Sequence, residues 1–141
     1  NIRKFEEIGT HPEANQIAIS EALTFHQGIG AARKEARLRY LRDYWATRLL
    51  EHDRIFMNTS LKPDFSCCIG NVGIRGIDTS LVGKYMWDEH RIIITPIKHP
   101  EFEGARVTAN VYTTIEELDR FCDAMEHLAD HGLPSKYLAE G

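Results

Sequence analysis

The 141-residue chain has no apolar run approaching the roughly 18 residues that a membrane-spanning helix requires, and no basic segment leading into an apolar one. It has few cysteines: Cys67, Cys68 and Cys122 form no CxxC pair, and an odd number argues against a disulfide framework and for a reducing compartment, with a cytoplasmic location as the expectation. It also lacks any stripe of basic charge. Its 17 Lys and Arg are interspersed with 21 Asp and Glu, for a net charge of −4, which is the wrong balance for a nucleic-acid backbone. Neither nucleic acid nor membrane is expected as a partner. Internal repeats and low-complexity tracts are missing too. The first residue is Asn1 rather than Met, and a fragment or processed chain is the expectation.

What is present is the composition of a globular domain, with 43% apolar and 27% charged residues. Ala14, Ile17, Ala18, Ala22 and Phe25 recur at helical spacing from Glu13 to about Gln27, with Thr10 and Glu13 in the relation of a capping box. After a break at Gly28–Gly30, Leu38, Leu41, Trp45 and Leu49 mark a second helix from Ala31 to about Leu50. Its other faces carry Arg33, Lys34, Arg37, Arg39, Arg42 and Arg48, a run that reads as a solvated helix face in preference to an anion site.

The character changes at Lys62-Pro63-Asp64. "FSCCIGNVGI" reads as a strand, bulged near Gly70; "DTSLVGKYMWDEH" as a short helix capped by Asp78 or Thr79; "RIIITPI" as a strand ended by Pro96. In "ARVTANVY", Ala105, Val107, Ala109 and Val111 alternate with Arg106, Thr108 and Asn110, the signature of a half-buried strand. The last helix is the plainest, with a Thr114/Glu117 capping box, a stripe of Ile115, Leu118, Phe121, Met125 and Leu128, and Gly132 to close it. The expected fold is α+β: long helices followed by a small, mainly antiparallel three-stranded sheet covered by helices.

Few side chains stand out chemically. Arg106, on the polar face of its strand beside Thr108 and Asn110, can offer a forked donor to a carboxylate, or pair with Glu101 or Glu103 as an ordinary surface arginine; pattern alone leans to the second. His99, between Lys98 and Pro100, can orient a ligand or simply sit in water. His127 and His131 are one turn apart without a third ligand, so no metal site is expected. None of Lys4, Lys34, Lys62, Lys84, Lys98 and Lys136 has a flanking pattern that suggests a desolvated amine, and no complete catalytic set is visible.

Two longer stretches, "KFEEIGTHPEANQIAISEAL" and "IKHPEFEGARVTANVYTTIEELDRF", together with the long helix and strand–helix–strand unit between them, resemble the C-terminal part of class V, fold-type I pyridoxal 5'-phosphate (PLP) enzymes, on the isopenicillin N epimerase-like branch. The resemblance runs from about Phe5 to Leu128. It implies that residues 1–29 end the PLP-binding large domain and 30–141 form the small C-terminal domain. It also implies that Gly9 and Thr10 contribute to the phosphate site of a cofactor bound mainly by the partner subunit of a homodimer with shared active sites, and that Arg106 holds the substrate's α-carboxylate, with His99 a further substrate-binding candidate.

No lysine here matches the one that forms the Schiff base, which in this family lies upstream, so the chain alone is expected to be inactive. "TPIKHPEFEG" contains no cysteine, which disfavours persulfide chemistry and leaves epimerase, lyase or aminotransferase. The alternative from another class is a non-catalytic α+β interaction or regulatory module, in which Thr10, Thr114 and Arg106 are caps and a surface pair.

Overall fold

A computed structural model describes residues 1–5, 9 and 13–138, which divide into two compact units, residues 1–34 and 35–141. The Thr10 half of the expected Thr10/Glu13 capping box lies outside the described residues.

In the first unit a single 3-10 turn, Ile2–Phe5, precedes α1, Glu13–Ile29. The helix takes in Gly28; the break falls at Gly30 alone, whose φ of +88° is the left-handed conformation that favours glycine. No residue of α1 is buried: Ile17, Ile19, Leu23 and Phe25 are all more than half exposed.

The larger unit holds the core. Helix α2, Ala31–Leu50, carries Leu41, Trp45, Ala46 and Leu49 into it. There follow β1 (Ile55–Met57), β2 (Ile69–Ile74), α3 (Thr79–His90), β3 (Thr95–His99), β4 (Phe102–Thr108), α4 (Ile115–His131) and the single turn α5 (Ser135–Leu138). The sheet is antiparallel throughout, in the order β1-β2-β4-β3. The architecture is the expected α+β, with one strand more than the three expected. β1 is too short, at three residues, to show a period of two in the sequence.

Alternation gives the sheet two different faces. On the inner face Ile55, Val72, Ile74, Ala105 and Val107 pack with α2, α3 and the Leu118, Phe121, Met125 and Leu128 stripe of α4. The expected bulge at Gly70 does not form, since β2 keeps register with β4 from Ile69↔Thr108 to Val72↔Ala105. Gly70 instead admits the Trp45 ring, which would stand 2.6 Å from a Cβ at this position. Nor does Pro96 end its strand. It pairs with Ala105 inside β3, and β3 is an edge, where a residue without an N–H leaves no ladder bond unmade. The run that sequence pattern reads as "RIIITPI" therefore starts its strand only at Thr95 and continues to His99, so that "KHPEFEG" is mostly the end of a hairpin.

The caps follow the sequence. Asp78 caps α3 by accepting from the Ser80 N–H at 2.7 Å, and Lys98 donates to its other oxygen. Both bonds hold the Asp78 carboxyl below its ordinary range, that from Lys98 first. Thr114 and Glu117 make the reciprocal capping box of α4, and Gly132 closes that helix.

The arginine run of α2 is the solvated face expected at Arg33 but not at Arg39, Arg42 and Arg48. Arg42 is buried, at 1% exposure. It donates to Asp43 Oδ1, to the Leu61 carbonyl, and to both the carbonyl and the hydroxyl of Ser66, while Arg39 also reaches the Ser66 carbonyl. Arg48 is bridged to Asp119, Asp123 and Glu126 of α4. The bond to Glu126 first, then that to Asp123, raise the Arg48 pKa further above its already high value. Thus the charges on α2 tie it to a loop on one side and to α4 on the other.

Candidate active site

The outer face of the sheet is the side turned away from the helices. Reading across it from edge to edge, Thr95 of β3 stands opposite Arg106 of β4, and Arg106 opposite Asn71 of β2. Asn58, just beyond β1, joins the row through its N–H, which donates to the Asn71 carbonyl at 3.0 Å. One polar row therefore crosses β3, β4 and β2 and reaches the residue that follows β1. Around it Ile69, Ile97, Phe102 and Thr59 complete a cavity of about 340 Å3 into which Asn58, Asn71 and Arg106 also project.

Arg106 is exposed and makes one hydrogen bond, from Nη2 to the Thr95 hydroxyl at 3.3 Å. Among the described residues no carboxylate ion-pairs with it, Glu101 and Glu103 included. Asn71 is the opposite case, 7% exposed within a strand. Its Oδ1 accepts from Asn58 Nδ2 at 2.7 Å, and that same nitrogen donates to the Glu103 carbonyl at 2.7 Å. Because Asn58 must present its nitrogen to a carbonyl, the amide of Asn71 is fixed with oxygen toward Asn58. Its Nδ2 is left buried and unpartnered. Room for this amide comes from Gly104, where a Cβ would overlap Asn71 Oδ1 outright and approach Cγ to 2.8 Å.

His99 shares the outer face but lies opposite Phe102, four positions along β3 from Thr95, or about 13 Å at the usual strand rise. Its ring stands 5.3 Å from that of Phe102, and its Nδ1 accepts from the Glu101 N–H. The structure thus places His99 at the hairpin end and does not bring it to Arg106. Gly9, in the other unit, has φ of +103° and open space where a Cβ would be. Thr10 lies outside the described residues. Sequence pattern singled out Arg106 but missed Asn71, Asn58 and Thr95; an asparagine inside a run as apolar as "CCIGNVGI" was the available signal, since strands are depleted in this residue.

The remaining candidates lie away from this cavity. Cys122 is buried in α4, where burial pushes its thiol up to about 12, and Cys67 and Cys68 are half-buried just before β2. The rings of His127 and His131 stack at 4.5 Å, and among the described residues no three His, Cys, Asp or Glu side chains are grouped to hold a metal. No helix is long and apolar enough to cross a membrane, among the residues described.

An antiparallel four-stranded sheet with helices on one face and a polar row on the other is the architecture of the small C-terminal domain of an aminotransferase fold. Alanine–glyoxylate aminotransferase from Nostoc sp. superposes with a TM-score of 0.67 over 85% of this chain and 32% of its own, at 21% identity, a likeness of fold. No family model matches the chain. In sequence it is similar to isopenicillin N epimerase from Streptomyces clavuligerus, 30% identical over 90% of this chain, and from Amycolatopsis lactamdurans, 26% identical over 91%. The chain spans about a third of the length of these curated relatives, 32% of each. These likenesses support what the sequence motifs imply, a C-terminal part of a class V, fold-type I enzyme on the isopenicillin N epimerase-like branch.

Proposed function

We propose that the chain is the C-terminal portion of a PLP-dependent enzyme that acts on an amino acid or a related amine by epimerisation, elimination or transamination. The observation that carries this reading is Arg106. It is a guanidinium in the wall of a cavity, unpaired with any carboxylate among the described residues and flanked by a fixed amide. A forked donor so placed suits a planar carboxylate. By gripping the substrate's α-carboxylate, Arg106 fixes the direction of the Cα–H bond; its contribution is positioning. Ile69, Ile97 and Phe102 give the carboxylate an apolar border in the cavity wall.

In this proposal PLP, when bound, supplies the electron sink for the change at the α-carbon. The residues present fit a contributing role toward it. Gly9, where the backbone turns with φ of +103°, and Thr10 are assigned by the family resemblance to the cofactor phosphate of the partner subunit in a homodimer with shared active sites. The covalent lysine is assigned to a large domain that residues 1–29 end, residues 30–141 being the small domain. None of the lysines of this chain stands at an outward-facing position of the sheet. His99, at the hairpin end, is a more distant substrate contact.

The test is Arg106→Ala in the complete protein that contains this chain. The expected outcome is a KM for the amino-acid substrate raised roughly 100-fold, the loss of two charge-assisted hydrogen bonds, with the visible absorbance of the cofactor intact. Unchanged kinetics refute the carboxylate assignment. A complete protein with no such absorbance returns the chain to the rival class, a binding or regulatory module.

A further inference from the structure

Asn71 serves the fold through its oxygen, which accepts from Asn58, whereas its nitrogen has no such structural partner. It is a polar side chain in the middle of β2, and burying its amide leaves Nδ2 without a partner. Orphaned buried donors are rare because each forfeits its hydrogen bonds to water. Moreover, three other features hold the amide in place: Asn58 fixes its orientation, the Glu103 carbonyl fixes Asn58, and Gly104 vacates the space it fills. A side chain so supported, yet unfinished on one side, and lining a cavity with an unpaired guanidinium, is a binding group that lacks its ligand.

We propose that Asn71 is a second carboxylate-binding residue. In this two-point clamp Arg106 carries the charge and the Asn71 Nδ2–H donates to one carboxylate oxygen and sets its orientation. The inference rests on Arg106 being the carboxylate site. Direct register sets the Asn71 and Arg106 backbones one strand spacing, about 4.8 Å, apart, and both side chains line the same cavity. A lone guanidinium lets a carboxylate swing about the Arg–anion axis; a fixed amide to one side removes that freedom. The ligand class is a monocarboxylate joined to an apolar group, since Ile69, Ile97 and Phe102 form the rest of the wall.

The test uses the complete protein and a pair of probes, hexanoate and its neutral analogue hexanamide, with binding measured by calorimetry. Asn71→Asp is the informative variant. It keeps the oxygen that accepts from Asn58, and so the local fold, while the donor becomes a negatively charged acceptor. Asn71→Ala is the companion. Expected is a roughly tenfold weaker affinity for hexanoate in Asn71→Ala and a larger loss in Asn71→Asp, with hexanamide binding unchanged and circular dichroism as in the unaltered protein. If Arg106→Ala abolishes hexanoate binding while both Asn71 variants bind it as the unaltered protein does, the Asn71 assignment alone is overturned. Equal weakening toward hexanoate and hexanamide makes Asn71 structural and also overturns it. If the unaltered protein shows no preference for hexanoate, or Arg106→Ala retains that preference in full, the carboxylate site itself falls, and the clamp with it.

Discussion

Arg42 donates from one guanidinium nitrogen to both the carbonyl and the hydroxyl of Ser66, at 2.7 and 2.6 Å, from a position in α2 that is 1% exposed. A second nitrogen takes the Leu61 carbonyl at 2.9 Å and Asp43 Oδ1 at 2.6 Å. The loop between β1 and β2 is thus pinned by a charge that the core would otherwise reject.

Arg42→Met keeps the bulk and removes every one of these donors. We expect a loss of about 3 kcal/mol, since charge-assisted bonds to half-buried carbonyls go unreplaced, measured by urea unfolding. Arg42→Lys recovers only part of it, because a point ammonium cannot reproduce the fork.

Gly104→Ala drives a methyl into the Asn71 amide, at a cost of about 1–3 kcal/mol in thermal or chemical unfolding. In a double-mutant cycle, Asn71→Ala relieves most of that cost. Additive losses mean that the two residues are not coupled through this contact.

Thr114→Ala removes the hydroxyl that accepts from the Glu117 N–H and lowers stability by about 1 kcal/mol. Glu117→Gln still offers an oxygen to the Thr114 N–H, so it falls well short of that loss. Both are read from unfolding midpoints.

Alkaline pH selects against the folded state. Tyr137 is buried and donates to Glu89 at 2.6 Å; burial first, then that bond, push its hydroxyl from 10.0 up to about 12. Cys122 is pushed from 9.0 to about 12 by burial. A neutral acid whose folded pKa is raised contributes stability that is whole below its ordinary value and disappears as pH rises through the folded one. The unfolding temperature should therefore hold below pH 9.0 and fall between there and about 12, with Tyr137→Phe showing a shallower fall. A midpoint that does not move across this window contradicts the burial of both groups.

Helix α4 was legible to the residue: a capping box, an apolar stripe and a closing glycine are all local signals. The alternation of β4 was legible as far as Thr108, which put Arg106 on the polar side, but Ala109 and Val111 lie beyond the strand's end and its start at Phe102 was missed. What escaped depends on partners distant in sequence. Arg42 looks like its neighbours in α2 until the carbonyls of Leu61 and Ser66, 19 and 24 residues on, are in place. Gly70 and Pro96 read as a bulge and a stop; only the Trp45 ring and the edge position of β3 give them their actual roles. In the candidate site, Arg106 was visible by itself, whereas Asn71 and Asn58 acquire meaning from strand register, which short strands do not specify from one sequence.

Because the helices of the larger unit pack on one side of the sheet, each strand interleaves two sets of residues that answer to different demands. Val72, Ala105 and Val107 are constrained by the packing behind them, while Ile69, Ile97 and Phe102 face away from it. Substitutions confined to these three leave the buried layer as it is. Ligand preference can then drift, under selection or in a directed library, almost independently of foldedness, with Gly104 the point where the two sets meet.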